Sequence, residues 1–297
     1  MLGVVNLDKP VGPTSHDMVG LMRRLTGTRR IGHAGTLDPL ASGVLPILVG
    51  AATRFSAELT GGRKRYDAVI RLGARSATDD AQGPIEDGDG PVPGEEAIRE
   101  ALAAFVGTFD QVPPAFSARK QGGRTAHRAA RSGEPIDLAP RSVTIDAIEL
   151  LEFTHDADGA TLRIDLRCHA GTYVRSLARD LGDRLGCGAY LAALRRTEAA
   201  GLHADDAVTP ERLEALAGEG KLAEAILPVG TLLPMPRVSL EPEAARAFAN
   251  GSAAQLGADH GADGRHAVFA GDELLGIGSV RAGVLQPEKV LPREAGQ

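Results

Sequence analysis

A chain of 297 residues, 43% hydrophobic and 24% charged, has enough apolar material for one large domain and a smaller one, in proportions ordinary for a soluble globular protein. No window offers the ~20 unbroken apolar residues of a membrane helix, and "MLGVVNLDKP" has no basic segment ahead of a long apolar run, so no secretory signal is expected and the cytoplasm is the default. The two cysteines, Cys168 and Cys187, form no Cys-x-x-Cys pair, which argues against a disulfide framework, a structural zinc site or any other resident metal.

In chain order, "VVNLDKPVGPTSHDMVGLMRRLTG" predicts a short strand, a turn at Lys9–Pro13 and a helix capped by Ser15, with Val19, Met22 and Leu25 at helical spacing. "GVLPILVGAATRFSAEL" starts as a buried strand and passes into a short helix. "KRYDAVIRLG" alternates like a strand with one solvated face. The acidic "EDGDGPVPGEE" lacks the ligand spacing of a calcium loop and reads as a solvated loop. "GEEAIREALAAFVGTF" is amphipathic, with Ile98, Leu102 and Phe105 on one stripe. "PRSVTIDAIELLEF" and "GATLRIDLRCHA" read as paired strands joined at "THDADG". "GTYVRSLARDLGDRLGCG" is a helix with Val174, Leu177, Ala178, Leu181 and Leu185 facing inward and Gly186 closing it.

Strands and helices interleave without a strict βαβ rhythm, which predicts an α/β (α+β) domain with a mixed sheet. After the proline-rich "LPVGTLLPMPRVSL", short strands separated by Gly-Asp and Ala-Gly turns predict a small β-rich domain of about sixty residues.

The net charge of -6 argues against a nucleic-acid partner, but its distribution argues the other way. Lys9 to Arg75 carries eleven Lys/Arg against four acids, and "ARKQGGRTAHRAAR" (118–131) carries five basic residues and no acid. Asp79 to Glu100 holds eight acids and one Arg. A protein that follows a phosphate backbone needs a local positive surface rather than a positive total; solvated helix faces account for each cluster alone equally well. There is no Walker loop, no Gly-x-Gly-x-x-Gly after a strand and no Gly-x-Ser-x-Gly elbow, so no cofactor is expected.

In "GHAGTLDPLASGVLPI", Asp38 is a lone carboxylate among small and apolar residues, with His33 the other ionisable group. Asp before Pro is a natural helix start. The alternative is a reactive group in a dry pocket, which needs a partner to aim it. Arg175, at the start of a helix, is one candidate, and spacing alone does not pair residues so far apart.

Four stretches bear on that choice: "LDKPVGPTS" at 7–15, "GHAGTLDPLASGVLPILVGAATR" at 32–54, "KRYDAVIRLG" at 64–73 and "GTYVRSLARDLGDRLGCGAYLAALRRT" at 171–197. Together and in this order they resemble the TruB family of bacterial tRNA pseudouridine-55 synthases. The tail "VFAGDELLGIGSV…VLQPEKVL" resembles, more weakly, a PUA domain, a small RNA-binding β-barrel.

The resemblance implies a pseudouridine synthase domain over 1–232, with an RNA-gripping insertion near 114–146, and a PUA-like domain over 233–297. It implies an isomerase that detaches uracil from ribose at N1 and rejoins it at C5, which needs no cofactor. Asp38 matches the family's catalytic aspartate and Arg175 the arginine that holds it ionised and oriented. Tyr66 matches the tyrosine that stacks on the uracil and is a candidate for taking the C5 proton. Tyr173 and Leu194 line the base pocket, and His33 contacts RNA beside a nucleotide flipped from the T-loop. Lys9 and Pro10 support the site. Lys64, Arg119, Lys120, Arg124 and Arg128 are candidate RNA contacts, although the insertion departs from the family at "FSARK" and His127.

The implied partner is tRNA through its T-arm, with no membrane, no obligatory protein partner and a monomer as the default. A non-catalytic tRNA-binding or tRNA-folding factor on the same scaffold is the alternative. A guide-RNA-dependent relative is a second rival, disfavoured by the short segment before the first strand.

Overall fold

The computed structural model describes residues 1–116, 120–121, 124–125, 136, 138–157, 159–256 and 262–292. The chain enters on β1 (Gly3–Lys9) and turns into α1 (Ser15–Thr26). Thr14 caps this helix, correcting the assignment to Ser15. Its hydroxyl accepts from the Asp17 amide at 3.1 Å and the Asp17 carboxylate accepts from the Thr14 amide at 2.8 Å, a reciprocal capping box. The Ser15 hydroxyl is thereby released for another role.

Next come β2 (Ile31–His33), β3 (Ala41–Val49), α2 (Ser56–Thr60) and β4 (Lys64–Leu72). A small ladder of β5 (Ala74–Ser76) and β6 (Ile85–Asp87) leads to α3 (Glu95–Ala103) and β7 (Gly107–Gln111). Ile98 and Leu102 are buried, whereas Phe105 lies past the end of α3 and only half-buried. A two-rung ladder, β8 (Lys120–Gln121) with β9 (Arg124–Thr125), precedes the expected hairpin of β10 (Arg141–Asp156) and β11 (Gly159–Cys168). Then follow α4 (Val174–Leu185), closed by Gly186 at φ 73°, β12 (Ala189–Ala199), β13 (Leu202–His203) and α5 (Pro210–Gly218).

Among the described residues nine of these strands form one sheet, apart from the ladders β5–β6 and β8–β9. Its spine runs β1-β3-β12-β4-β11-β10-β7, with β2 on β3 and β13 on β12. The β3–β12 pair is parallel and the rest antiparallel, so the sheet is mixed as expected. At that parallel seam a Cβ on Gly43 (φ 98°) would sit 2.2 Å from the Arg196 carbonyl, so only glycine fits. One core packs Met18, Val19 and Met22 of α1, Ile98 of α3, and Leu177 and Leu181 of α4 against Ile70, Leu162, Ile164 and Leu166 of the sheet. Each such fully buried side chain contributes about 1.5–3 kcal/mol.

Beyond residue 236 a separate five-stranded sheet forms from β14 (Arg237–Ser239), β15 (Ala254–Gln255), β16 (Gly264–Ala270), β17 (Glu273–Arg281) and β18 (Val284–Val290), in the order β14-β16-β17-β18-β15. It carries one helix the periodicity did not announce, α6 (Pro242–Ala249), whose Phe248 fills the small core. A second apolar cluster joins the two units: Val4, Val44, Leu48 and Phe55 meet Val229, Leu233, Phe269, Ile277 and Leu291. No helix among the described residues is long and apolar enough to cross a membrane.

Candidate active site

Asp38 does not cap a helix. Pro39 and Leu40 form a turn, the Ala41 amide donates to the Asp38 carbonyl at 3.0 Å, and the chain continues as β3. The loop that carries Asp38 is pinned from two sides. Ser15 Oγ donates to the Leu37 carbonyl at 2.9 Å and accepts from the Leu37 amide at 2.8 Å. Arg196 Nη2 donates to the Gly35 carbonyl at 3.0 Å and its Nε to the Val44 carbonyl at 2.7 Å, at the far end of the loop. Both restraints were missed in the sequence.

Arg175, in the first turn of α4, meets Asp38 Oδ2 through Nη2 at 2.8 Å. Of the two, the arginine is the dry one: its side chain is 7% exposed, whereas Asp38 keeps 42%. Asp38 therefore faces the open side of the site, contrary to the picture of a carboxylate sealed in a dry pocket. Arg175 is held from behind. Its Nη1 donates to the Thr78 carbonyl at 3.3 Å, Nη2 to the Phe116 carbonyl at 3.1 Å, and Nε lies 3.7 Å from Asp80 Oδ2.

Asp80 is buried and held by the Thr78 hydroxyl at 2.6 Å and the Gln82 amide at 3.0 Å. It belongs to the acid-rich stretch 79–100, and no spacing in that stretch distinguishes it. A carboxylate on each side fixes the Arg175 fork in direction as well as in place.

Tyr66 lies on β4 opposite Arg196 of β12, so both side chains leave the same face of the sheet. Leu194 shares that face two residues earlier on β12, opposite Ala68 and beside Ala41. Tyr66 is buried, and burial pushes its phenol up; the charge of the Arg196 guanidinium opposes the rise. His33, at the end of β2, is pushed below its ordinary 6.5 by burial, with Arg196 and His16 adding to the effect. Its Nδ1 is buried without a hydrogen-bond partner among the described residues. The ring therefore stays neutral and flat near neutral pH.

Tyr173 is the residue before α4. Its amide donates to Gln111 Oε1 at 2.9 Å while Gln111 Nε2 donates to its carbonyl at 3.1 Å, a two-way clamp onto β7. Lys9 is fully buried; its ammonium donates to the Pro10 and Pro13 carbonyls at 2.8 and 2.7 Å, shaping the turn that presents Ser15. Lys64 turns inward beside Gly35, donating to the Thr60 and Gly62 carbonyls at 2.9 and 3.2 Å. Arg119 and Arg128 lie outside the described residues, as do the side chains of Lys120 and Arg124. The structure thus brings Asp38 and Arg175 into direct contact, with Tyr66 buried on β4.

Comparison with known proteins follows the same segments. Residues 23–174 match the model of the TruB family pseudouridylate synthase N-terminal domain, and residues 175–234 that of the tRNA pseudouridylate synthase B C-terminal domain. A protein of Ralstonia nicotianae named tRNA pseudouridine synthase B is 43% identical over 300 residues, covering 97% of this chain and 94% of the relative. One of the same name from Dechloromonas aromatica is 42% identical over 291 residues, covering 97% and 95%. Among solved structures, a Cbf5-Nop10-Gar1 complex matches with a TM-score of 0.73 at 28% identity, over 98% of this chain and 85% of the other. An H/ACA RNP bound to a substrate RNA containing 2'-deoxyuridine matches with a TM-score of 0.73 at 27% identity, over 98% and 86%. With family models matching residues 23–234 and near-full-length relatives above 40% identity, this chain belongs to the TruB family of pseudouridylate synthases.

Proposed function

We propose that this protein is a tRNA pseudouridine synthase that isomerises a flipped-out uridine in the T-loop, with Asp38 as the catalytic carboxylate and Arg175 as the residue that orients it. The observation that carries the reading is the 2.8 Å ion pair between an exposed aspartate and a buried arginine far away in sequence, in a chain more than 40% identical over nearly its whole length to relatives named for this activity.

The chemistry asks for a break between C1′ and N1, a rotation of the freed uracil, a new C1′–C5 bond, and movement of one hydrogen from C5 to N1. Arg175 holds Oδ2 of Asp38, so Oδ1 is left to meet the substrate, whether it attacks or removes a proton. Tyr66 offers a buried ring on which the uracil stacks and a hydroxyl toward C5. His33, neutral and flat, fits the space vacated by the extruded base and offsets part of the few kcal/mol that flipping costs. Tyr173 and Leu194 complete the walls of the base pocket.

The substrate is tRNA, as the names of the relatives indicate. The basic segment 118–131 supplies phosphate contacts from Arg119, Lys120, Arg124 and Arg128, so binding weakens steeply with salt. The small five-stranded unit serves as a PUA-like accessory RNA-binding domain, with the boundary near residue 232. The enzyme works as a monomer in the cytoplasm without a protein partner or cofactor. Two buried free cysteines suit a reducing compartment.

The test is primer-extension mapping of pseudouridine on a bare tRNA transcript treated with the pure protein. Wild type is expected to modify one T-loop uridine, and Asp38→Asn to modify none while binding tRNA with near-normal affinity. Normal modification by Asp38→Asn overturns the assignment. Binding without modification by wild type would select the non-catalytic alternative, and activity only with a guide RNA the other.

A further inference from the structure

Arg196 is the largest fully buried side chain among the described residues, and nothing above gives it a part in the chemistry. Three of its donors reach backbone carbonyls: Val44 at 2.7 Å, Gly35 at 3.0 Å and, weakly, Thr36 at 3.5 Å. These occupy three of its five N–H groups and leave its charge unbalanced. Among the described residues no carboxylate lies within ion-pair distance of it.

Two further cations crowd the same floor. The amines of Lys9 and Lys64 are each pushed down to about 8, chiefly by burial, with Arg196 adding to the effect. Lysine and histidine can yield by releasing a proton; a guanidinium cannot. Arg196 is therefore a permanent buried cation awaiting a counter-charge. Among the described residues the neighbour that can become an anion is Tyr66, its cross-strand partner on the same face of the sheet, whose phenol the guanidinium charge pulls down.

We propose that Arg196 is a positioning residue acting through Tyr66: it aims the phenolic oxygen and stabilises the phenolate that removes the C5 proton. This rests on the functional reading above and deepens it. The step balances without a co-reactant. Tyr66 first releases its proton to solvent. Once the C1′–C5 bond has formed, the C5–H bond breaks and its hydrogen joins the phenolate oxygen. The electron pair of that bond forms C5=C6 and displaces the C6=N1 pair onto N1, which takes a proton from water. One hydrogen has then moved from C5 to N1, and Tyr66 is again a phenol.

The experiment is single-turnover pseudouridine formation with excess full-length enzyme, across pH, on tRNA carrying ordinary uridine or uridine deuterated at C5. Arg196→Gln is expected to slow turnover by about a hundredfold, the size of losing one preorganised charge-stabilising donor. It should also increase the C5-deuterium isotope effect and move the alkaline rise of rate to higher pH. Arg196→Lys, which retains a cation, should restore most of the wild-type isotope effect and profile. A slower Arg196→Gln with the wild-type isotope effect and pH profile would mean that the residue only holds the Gly35–Val44 backbone, and the proposal falls.

Should Arg196→Gln fail to bind tRNA because it misfolds, a more acidic fluorotyrosine at position 66 leaves Arg196 intact. The pH profile must then move downward, and an unmoved profile overturns the proposal. Failure of wild type to form pseudouridine, or normal activity of Asp38→Asn, would instead defeat the functional reading itself.

Discussion

Ser15 and Leu37 hold each other by two hydrogen bonds, one given and one received by the serine hydroxyl, at 2.9 and 2.8 Å, in a fully buried contact. Leu37 directly precedes Asp38, so the first residue of α1 sets the backbone from which the carboxylate projects. Ser15→Ala leaves a buried amide and a buried carbonyl without partners, which costs about 1–3 kcal/mol. A shift of about an ångström at a reacting group can cost a hundredfold in rate. The expected result is a lowered urea midpoint and single-turnover pseudouridine formation reduced about 10–100-fold, with tRNA affinity kept. Unchanged turnover would show that the loop holds its shape without the clamp.

Arg175 stands between an exposed carboxylate, Asp38, and a buried one, Asp80, whose side chain is 5% exposed. The two aspartates should therefore respond differently to its loss. Arg175→Ala leaves Asp80 without its cation, and removing one partner of a buried pair costs about 3–5 kcal/mol. Asp38→Asn, on the solvent side, is expected to cost below about 1 kcal/mol. The double variant Arg175→Ala/Asp80→Asn should be more stable than Arg175→Ala alone, because the stranded charge is gone, although both stay inactive. Equal stability of the single and double variants in chemical denaturation would exclude this account of Asp80.

The elements that were legible in the sequence are those whose periodicity is strong. The alternation of β4 and the Val174–Leu177–Leu181 stripe of α4 follow the pattern directly. Asp38, Tyr66 and Arg175 were legible through the motif stretches, not through spacing. What escaped depended on long-range pairing. Thr14 and Ser15 are both capping residues, and the feature that decides between them is Asp17 three positions after Thr14. Asp80 sits in an acidic run that composition assigns to solvent, and its burial depends on Arg175, the Thr78 hydroxyl and the Gln82 amide. The role of Arg196 depends on β4 and β12 being neighbours, which no local signal states. The helix α6 spans only eight residues, little more than two turns, so its pattern repeats too few times to stand out in the sequence.

His33 supplies a pH dependence whose sign is fixed by its burial. Its folded value lies below the ordinary 6.5, so between the two the unfolded chain binds more protons. Stability then falls as pH drops below 6.5. His33→Gln removes this dependence. The difference between urea midpoints at pH 7.5 and pH 5 should be smaller in His33→Gln than in wild type. An equal difference would show that His33 takes up its proton in the folded state as readily as in the unfolded one.

Glu58 makes the corresponding case at the joint between the two units. Its side chain is 5% exposed, and both its oxygens accept from Lys289 of β18 at 2.8 Å while Oε1 accepts from Arg265 of β16 at 2.9 Å. Burial pushes the carboxyl up, but the hydrogen bonds from Lys289 and Arg265 outweigh it and hold it below its ordinary 4.5. The stabilisation is thus complete above pH 4.5 and is lost as pH falls through the folded value. Glu58→Gln should cost about 1.5–3 kcal/mol, the worth of hydrogen bonds to a charged group. Both cations are partly exposed and rehydrate, which keeps the loss below that of a fully buried pair. The expected readout is faster proteolytic cleavage between residues 228 and 237 in Glu58→Gln at neutral pH, with wild type approaching the same rate only when acidified below 4.5. Equal cleavage rates at neutral pH would mean that the apolar contacts of Phe55, Phe269 and Leu291 hold the joint without this ion pair.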